Sequence, residues 1–161
     1  MIITADLRIC QVVTKFLDQP VVKIARAYLD TPFHHQGRVN SGLDCIGLIV
    51  VAYREAGYFI DDYVQYRKQP NELEFISYVE KNAYKITLEE ALDGDMALFY
   101  IKKKVQHAGI LASGCTHIIH TWSQVSRDNH EQGKVVENTL AGPWLQRLHS
   151  VWRVEPWRLL H

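Results

Sequence analysis

Cys45, His107 and His120 are the side chains of this 161-residue sequence whose types and placement suit nucleophilic attack on a carbonyl. Cys45 directly follows Asp44, a favoured helix N-cap type, and opens the apolar run 45–53. A helix starting there turns unpaired amide donors and the positive end of its dipole towards the sulfur, which favours thiolate. The amide of Cys45 is itself placed to donate to an oxyanion formed at the attacked carbonyl. A lone cysteine is equally a small hydrophobe of the kind commonly buried. The chemistry therefore needs a base.

His107 supplies one, in the predicted strand VQHAGILA. Alternation sets Val105, His107, Gly109 and Leu111 on one face, and Gln106, Ala108, Ile110 and Ala112 on the other. A two-residue hairpin turn at Ser113-Gly114 then places His107 opposite His120, with Cβ atoms about 4.5–5.5 Å apart. The same register sets His117 opposite Ile110, on the other face. A cysteine at a helix start, a strand histidine and a polar neighbour to orient it follow nucleophile–base–orienter logic. Two other readings stand beside it: a pair of strand histidines satisfied by backbone or water, and a zinc site. Cys45, His107 and His120 are acceptable zinc ligands, but no close-spaced pair such as HExxH or CxxC accompanies them. Catalysis without metal is the favoured expectation.

The elements that must hold these residues are legible in outline. Pro20, with Val21, Ile24, Ala25 and Tyr28 at helical spacing, predicts a helix that Pro32 prevents from continuing. Residues 31–42 read as loop. Residues 44–55 predict a helix apolar nearly all round, capped by Asp44 and stopped at Gly57, which belongs in the middle of a domain. Residues 71–82 predict an amphipathic helix with Leu73, Ile76 and Val79 on one side. Strands are predicted over 96–101, 105–112, 116–122, 134–138 and, more weakly marked, 151–154. Helices first and consecutive strands afterwards is the pattern of an α+β domain with an antiparallel sheet.

Composition narrows the function classes. The length, with 47% apolar and 22% charged residues, fits one soluble globular domain over 1–161. Eighteen basic residues balance eighteen acidic ones, and the longest basic run is Lys102–Lys104, so nucleic acid is not an expected partner. Cys10, Cys45 and Cys115 are an odd set without CxxC spacing, which favours reduced thiols over a disulfide framework. The opening MIITADLRICQVV carries Asp6 and Arg8 where a signal peptide would be apolar. No stretch approaches a roughly 20-residue membrane span. The expectation is a leaderless product made in the cytoplasm, with no membrane insertion.

The segment TPFHHQGRVNSGLDCIGLIV resembles the nucleophile region of the NlpC-type cysteine peptidases, papain-like enzymes that cleave bacterial cell-wall peptides. That region usually reads TPY-x-x-GG, a short spacer, then G-x-DCSG opening a helix, and the match runs without a gap from Thr31 to Gly47. GDMALFYI resembles the family's Gly-Asp before the first strand, QHAGIL its catalytic-histidine strand, and IIHT its third-residue strand. The resemblance spans about 21–154. It implies a small papain-like α+β fold with the cysteine helix packed on an antiparallel sheet. It also implies Cys45 as nucleophile, His107 as general base and His120 as the residue that orients the His107 ring. The implied reaction is hydrolysis of an amide in peptidoglycan stem peptides, commonly between D-glutamate and the diamino acid, with no cofactor.

Three positions depart from the family pattern. Ile46 replaces the serine after the cysteine, as in phage-associated members, and Gln36 replaces the first of the two loop glycines. Phe33 replaces the loop tyrosine that assists the oxyanion or positions substrate, and it has no hydroxyl. Gln36 and Asp44 are accordingly secondary candidates for substrate or oxyanion contact beside Phe33, with helix capping the first role of Asp44. His34, His35 and Trp122 are expected beside the cleft as structural or substrate-contacting residues. An acyltransferase or thioesterase on the same fold is the alternative enzyme, and a phage-tail or wall-binding module the non-catalytic alternative. A wall substrate for a leaderless chain points to phage-tail or secretion-apparatus partners, with the protein virion-associated or injected; an intracellular enzyme that trims recycled wall peptides is the alternative.

Overall fold

The computed structural model describes residues 19–125 and 131–155; Cys10 and the N-terminal segment lie outside them. The chain order begins with α1 (Pro20–Ala27), the two-residue strands β1 (Arg38–Val39) and β2 (Gly42–Leu43), then α2 (Cys45–Glu55) and α3 (Glu72–Asn82). Strands β3 (Ala83–Ile86), β4 (Met96–Ile101), β5 (Lys104–Ala112), β6 (His117–Val125) and β7 (Glu131–Thr139) follow. The one-turn helix α4 (Pro143–Arg147) and strand β8 (Leu148–Val154) complete the described chain. β1 pairs with β2, and the other six strands form one antiparallel sheet in the order β3-β8-β4-β5-β6-β7. No helix among the described residues is long and apolar enough to cross a membrane.

The expected helices form where their signals lie. Pro20 starts α1 where its missing N–H is not needed, and Val21, Val22 and Ala25 are buried. Asp44 caps α2 by accepting from the Gly47 amide at 2.8 Å. Leu48, Ile49 and Ala52 of α2 have no exposure. Burial of a Leu or Ile side chain contributes about 1.5–3 kcal/mol, so the apolar girth of α2 ties its N-terminus to the sheet. Asn71 caps α3 through the Leu73 amide. The buried stripe of α3 is Phe75, Tyr78, Val79 and Asn82, however, and Leu73 is 78% exposed. The i, i+3, i+4, i+7 row that begins at Phe75 carries the larger aromatic surface, and Leu73 falls outside it.

The sheet has two covered faces. Helices α1–α3 pack on one, over Leu98, Ala108, Ile110, Ile119 and Val135. A smaller cluster on the other face joins Ala97, Phe99, Leu111, Ile118, Leu140 and Val151, with Trp144 of α4 against it. The short element β3 and the helix α4 were not expected, and β8 begins three residues earlier than expected. β3 has four residues, too few for a periodic signal, and it exists by pairing with β8.

Two register details replace the expected hairpin. The β5–β6 loop is residues 113–116, because Ala112 pairs with His117, Leu111 with Ile118 and Ile110 with Ile119. Ser113, Gly114 and Cys115 all take positive φ, and the Asp93 carboxylate accepts from the Gly114 and Cys115 amides at 3.0 and 2.8 Å. His117 thus stands opposite Ala112 rather than Ile110, and His120 does not stand directly opposite His107. In the β4–β5 pair, His107 opposes Phe99 while Val105 opposes Tyr100, leaving Gln106 as the extra residue of a bulge. Val105 therefore turns into the main core while His107 turns towards Phe99, so the two do not share a face as alternation predicted.

Candidate active site

A cleft opens where the first turn of α2 meets β5 and β6. Cys45, Ile46, His107, Trp122, Phe33 and Tyr66 are among the residues that line it. Cys45 and His107, far apart in sequence, thus share one cavity, and His120 stands directly behind His107. The His107 Nε2 lies 2.8 Å from His120 Nδ1. The His120 Nε2 lies 2.9 Å from Asn138 Oδ1. With the Asn138 carbonyl oxygen as acceptor, His120 Nε2 carries the proton and its Nδ1 is an acceptor. His107 must then donate from Nε2, which leaves its Nδ1 lone pair as the free basic atom. Asn138, on β7 and paired with Ile118, carried no signal in the sequence.

Burial keeps both rings neutral. His107 is 6% exposed and its pKa lies well below the usual 6.5, because of burial and then the neighbouring His120 and Arg147. Burial pulls His120 down to about 4, against the opposing effect of its hydrogen bond to Asn138. The Cys45 thiol is pushed up to about 12 by burial and then by the Asp44 charge. Backbone N–H groups of Ala108, Ile46 and Cys45 favour the thiolate but do not outweigh those two effects. The resting pair is a neutral thiol and a neutral imidazole, where the helix terminus alone had suggested thiolate.

Asp44 has no oxygen left over. Its Oδ1 accepts from Gly47 N and from Arg38 Nη1 at 3.3 Å; its Oδ2 accepts from Gln36 N at 2.6 Å and from the Tyr66 hydroxyl. Arg38 continues the network to Asp62 at 2.9 Å and to the Tyr63 carbonyl at 2.8 Å. Asp44 is therefore the hub that seats the 31–43 loop on the head of α2. The contact is close enough to require glycine at position 47: a Cβ there would lie 2.0 Å from the Gly37 carbonyl oxygen.

The remaining sequence candidates divide. Phe33 and His35 line the cleft, and His35 Nε2 lies 3.0 Å from the Tyr66 carbonyl oxygen. The Gln36 side-chain amide donates to the Tyr66 carbonyl at 2.7 Å, and Gln36 is not among the residues that line the cleft. Its φ of 59° explains why glycine suits that position. His34 is exposed outside the cleft, and His117 sits at the hairpin end beside Thr116. Tyr66 is among the cleft residues that sequence reasoning missed. It brings a hydroxyl to the wall shared with Phe33 from a loop with no periodic pattern. Among the described residues no group of three or more His, Cys, Asp or Glu side chains is gathered as metal ligands.

Comparison with known proteins bears on the family and the fold. The family model described as the NlpC/P60 family matches residues 30–153. No curated protein matches the chain. Among solved structures, an NLP/P60-family protein similar to lipoprotein from Staphylococcus aureus subsp. aureus Mu50 superposes with a TM-score of 0.63 at 21% identity, over 89% of this chain and 41% of that one. A Bacillus cereus ATCC 10987 NlpC/P60 family protein gives 0.60 at 19% identity, over 85% and 40%. The NlpC/p60 domain of the peptidoglycan hydrolase SagA gives 0.58 at 20%, over 84% of this chain and 97% of that domain. The chain thus spans about two fifths of the first two structures and nearly the whole of the third. The helices and six-stranded antiparallel sheet are the small papain-like fold these structures share, and the chain belongs to the NlpC/P60 family.

Proposed function

We propose that this protein is a cysteine peptidase that hydrolyses an amide bond in peptidoglycan stem peptides, with Cys45 as nucleophile, His107 as base and His120 as orienter. The observation that carries the reading is the Asn138–His120–His107 hydrogen-bond chain, which ends in a free ring nitrogen on the cleft that also holds Cys45. Membership of the NlpC/P60 family supports peptidoglycan as the substrate class.

The protonation states set the order of events. Thiol and imidazole are both neutral at rest, so His107 Nδ1 takes the thiol proton as Sγ attacks the carbonyl carbon. The imidazolium that forms is held by its Nε2–H bond to His120 Nδ1. The Cys45 amide, at the first position of α2 and without an intrahelical acceptor, donates to the oxyanion. His107 then protonates the leaving amine, the C–N bond breaks and a thioester remains. Water, deprotonated by His107, releases the acid and restores the thiol. Phe33 contributes apolar wall and no hydrogen bond to this sequence.

Digestion of purified peptidoglycan and of soluble muropeptides, with product masses read afterwards, tests the proposal. The expected products are those of cleavage between D-glutamate and the diamino acid, absent with Cys45→Ala. Failure of the folded protein to release any peptide overturns the reading, and products joined to an added amine acceptor identify acyl transfer instead.

A further inference from the structure

The chain returns from β7 to β8 across the second face of the sheet through α4. Pro143, Leu145, Gln146 and Arg147 are exposed, while Trp144 turns inward. Its indole meets His120 edge-on with ring centroids 4.5 Å apart, and it lies tilted against His107 at 5.7 Å. Phe99 and Trp122 pack on the same indole at 5.4 and 5.1 Å. The Arg147 guanidinium covers it from outside, 5.6 Å from the ring centroid. Trp144 does not line the cleft, so the two imidazoles lie between the cleft and an aromatic wall.

Resting on the peptidase reading above, we propose that Trp144 is a positioning residue that fixes the planes of the His107–His120 pair and seals its back from water. The hydrogen bonds of His120 run through Nδ1 and Nε2, both in the ring plane, and they leave the tilt of that plane to packing. An edge-on indole at 4.5 Å removes this freedom, because aromatic pairs favour a specific edge-to-face geometry. The tilt matters because it aims the free Nδ1 of His107 at the cleft. A misplacement of about 1 Å in such a group can cost on the order of 10²-fold in rate.

The seal has a separate consequence. Burial is the largest cause of the lowered pKa of both rings, and Trp144 is the half-buried side chain that α4 lays over them. Among the described residues, Arg147 of α4 behind Trp144 is the charged group that acts on His107, and Cys45, Asp44, His35, Tyr66, Lys68 and Lys102 are the titratable groups that share its cleft. β4, β6 and β7 present neutral groups, namely Phe99, Trp122 and Asn138. Truncating the indole admits water, so the protonated imidazoles become less unfavourable and titrate closer to 6.5. Activity that requires neutral His107 is then lost at higher pH than in the wild type. Trp144→Phe keeps a ring against His120 and keeps most of the effect.

Imidazole titration followed by NMR in wild type, Trp144→Ala and Trp144→Phe, alongside kcat against pH on a muropeptide, tests this. Trp144→Ala is expected to raise the titration midpoints of both rings and to move the acid limb of kcat upward. Its turnover at the plateau is expected to fall about tenfold or more. A folded Trp144→Ala protein with wild-type midpoints overturns the proposal. So does an equal loss of kcat at every pH, the mark of a merely structural residue. If Trp144→Ala does not fold, Trp144→Leu reads the same midpoints. The imidazole titration needs no turnover, so a wild type that cleaves nothing defeats the peptidase reading and leaves the Trp144 wall to be judged by its midpoints.

Discussion

His120 stands across from Gly109, and it reaches His107 diagonally, Nδ1 to Nε2, at 2.8 Å. A Cβ on residue 109 would lie 3.2 Å from both the His120 Cβ and the Ile119 carbonyl oxygen. The missing side chain at 109 is therefore what gives His120 room to lean towards His107. Gly109→Val is expected to push the rings apart and lower kcat by about 10–100-fold, with a smaller loss for Gly109→Ala. Kinetics and thermal melting on both variants check it, and a folded Gly109→Val protein with wild-type kcat would refute the role.

The two histidines of β6 are expected to behave differently. His120→Ala removes the acceptor of the His107 proton and is expected to lower turnover about 10–1000-fold, within the range of acid–base contributions. His117 sits at the hairpin end beside Thr116, away from the cleft, and His117→Ala should leave turnover within about twofold. Asn138→Leu should resemble a weaker His120→Ala, because it leaves the His120 Nε2–H without its acceptor. Rates on the three folded variants decide the matter. A dead His117→Ala beside an active His120→Ala would reverse the assignment.

The Cys45 thiol is pushed up to about 12 by burial and by Asp44, so its alkylation should not level off near neutral pH. Its rate with iodoacetamide is expected to keep rising through pH 9–10, and mapping the labelled residue by mass follows it separately from Cys115. A plateau below pH 8 would show a thiolate stabilised in the resting enzyme. Cys45→Ser should keep the fold and lose turnover.

Acid should destabilise the fold in a defined window. His107 and His120 bind protons more weakly when folded than when unfolded, so the unfolded chain takes up more protons as pH falls below 6.5. Their contribution is complete above about 6.5 and declines as pH falls towards about 4, the value reached by His120. Each buried histidine weakens the fold by about 1.4 kcal/mol per pH unit across its own interval. Urea melts from pH 7 to 4 measure the slope, and His120→Gln should flatten it. An unchanged slope in that variant would place the acid sensitivity elsewhere.

Asp44→Ala is expected to act through stability. It removes the α2 cap, commonly about 0.5–2 kcal/mol, and strands the donors of Gln36 and Tyr66, while Arg38 keeps Asp62 and the Gly37 and Tyr63 carbonyls. Gly47→Ala drives a methyl into the Gly37 carbonyl and should cost at least about 1–3 kcal/mol. Denaturant midpoints report both. A KM rise at unchanged stability in Asp44→Asn would instead indicate contact with substrate.

Local chemistry alone located the head of the cysteine helix. Asp44 is a capping residue by type, the run from Cys45 is apolar on every side, and both properties act within one turn of chain. That His120 and not His117 is the β6 histidine that meets His107 was also legible, although the turn is longer than expected. The hairpin loop is two residues longer than a Ser113-Gly114 turn, and a shift of two leaves every side chain on its original face. What the shift altered was the partner, because a diagonal pair needs Gly109 between the rings. The bulge at Gln106 was not legible, since it arises from pairing with β4 and not from the β5 sequence. Tyr66 and Trp144 come from a loop and a one-turn helix without a periodic pattern, and Asn138 closes the predicted strand 134–138 with no mark of its partner. Their roles follow from distances between segments remote in sequence, which only the packed chain sets. The protonation of the thiol was decided in the same way. A helix terminus favours thiolate wherever it occurs, but the depth of burial and the carboxylate of Asp44 beside Cys45 outweigh it in this fold.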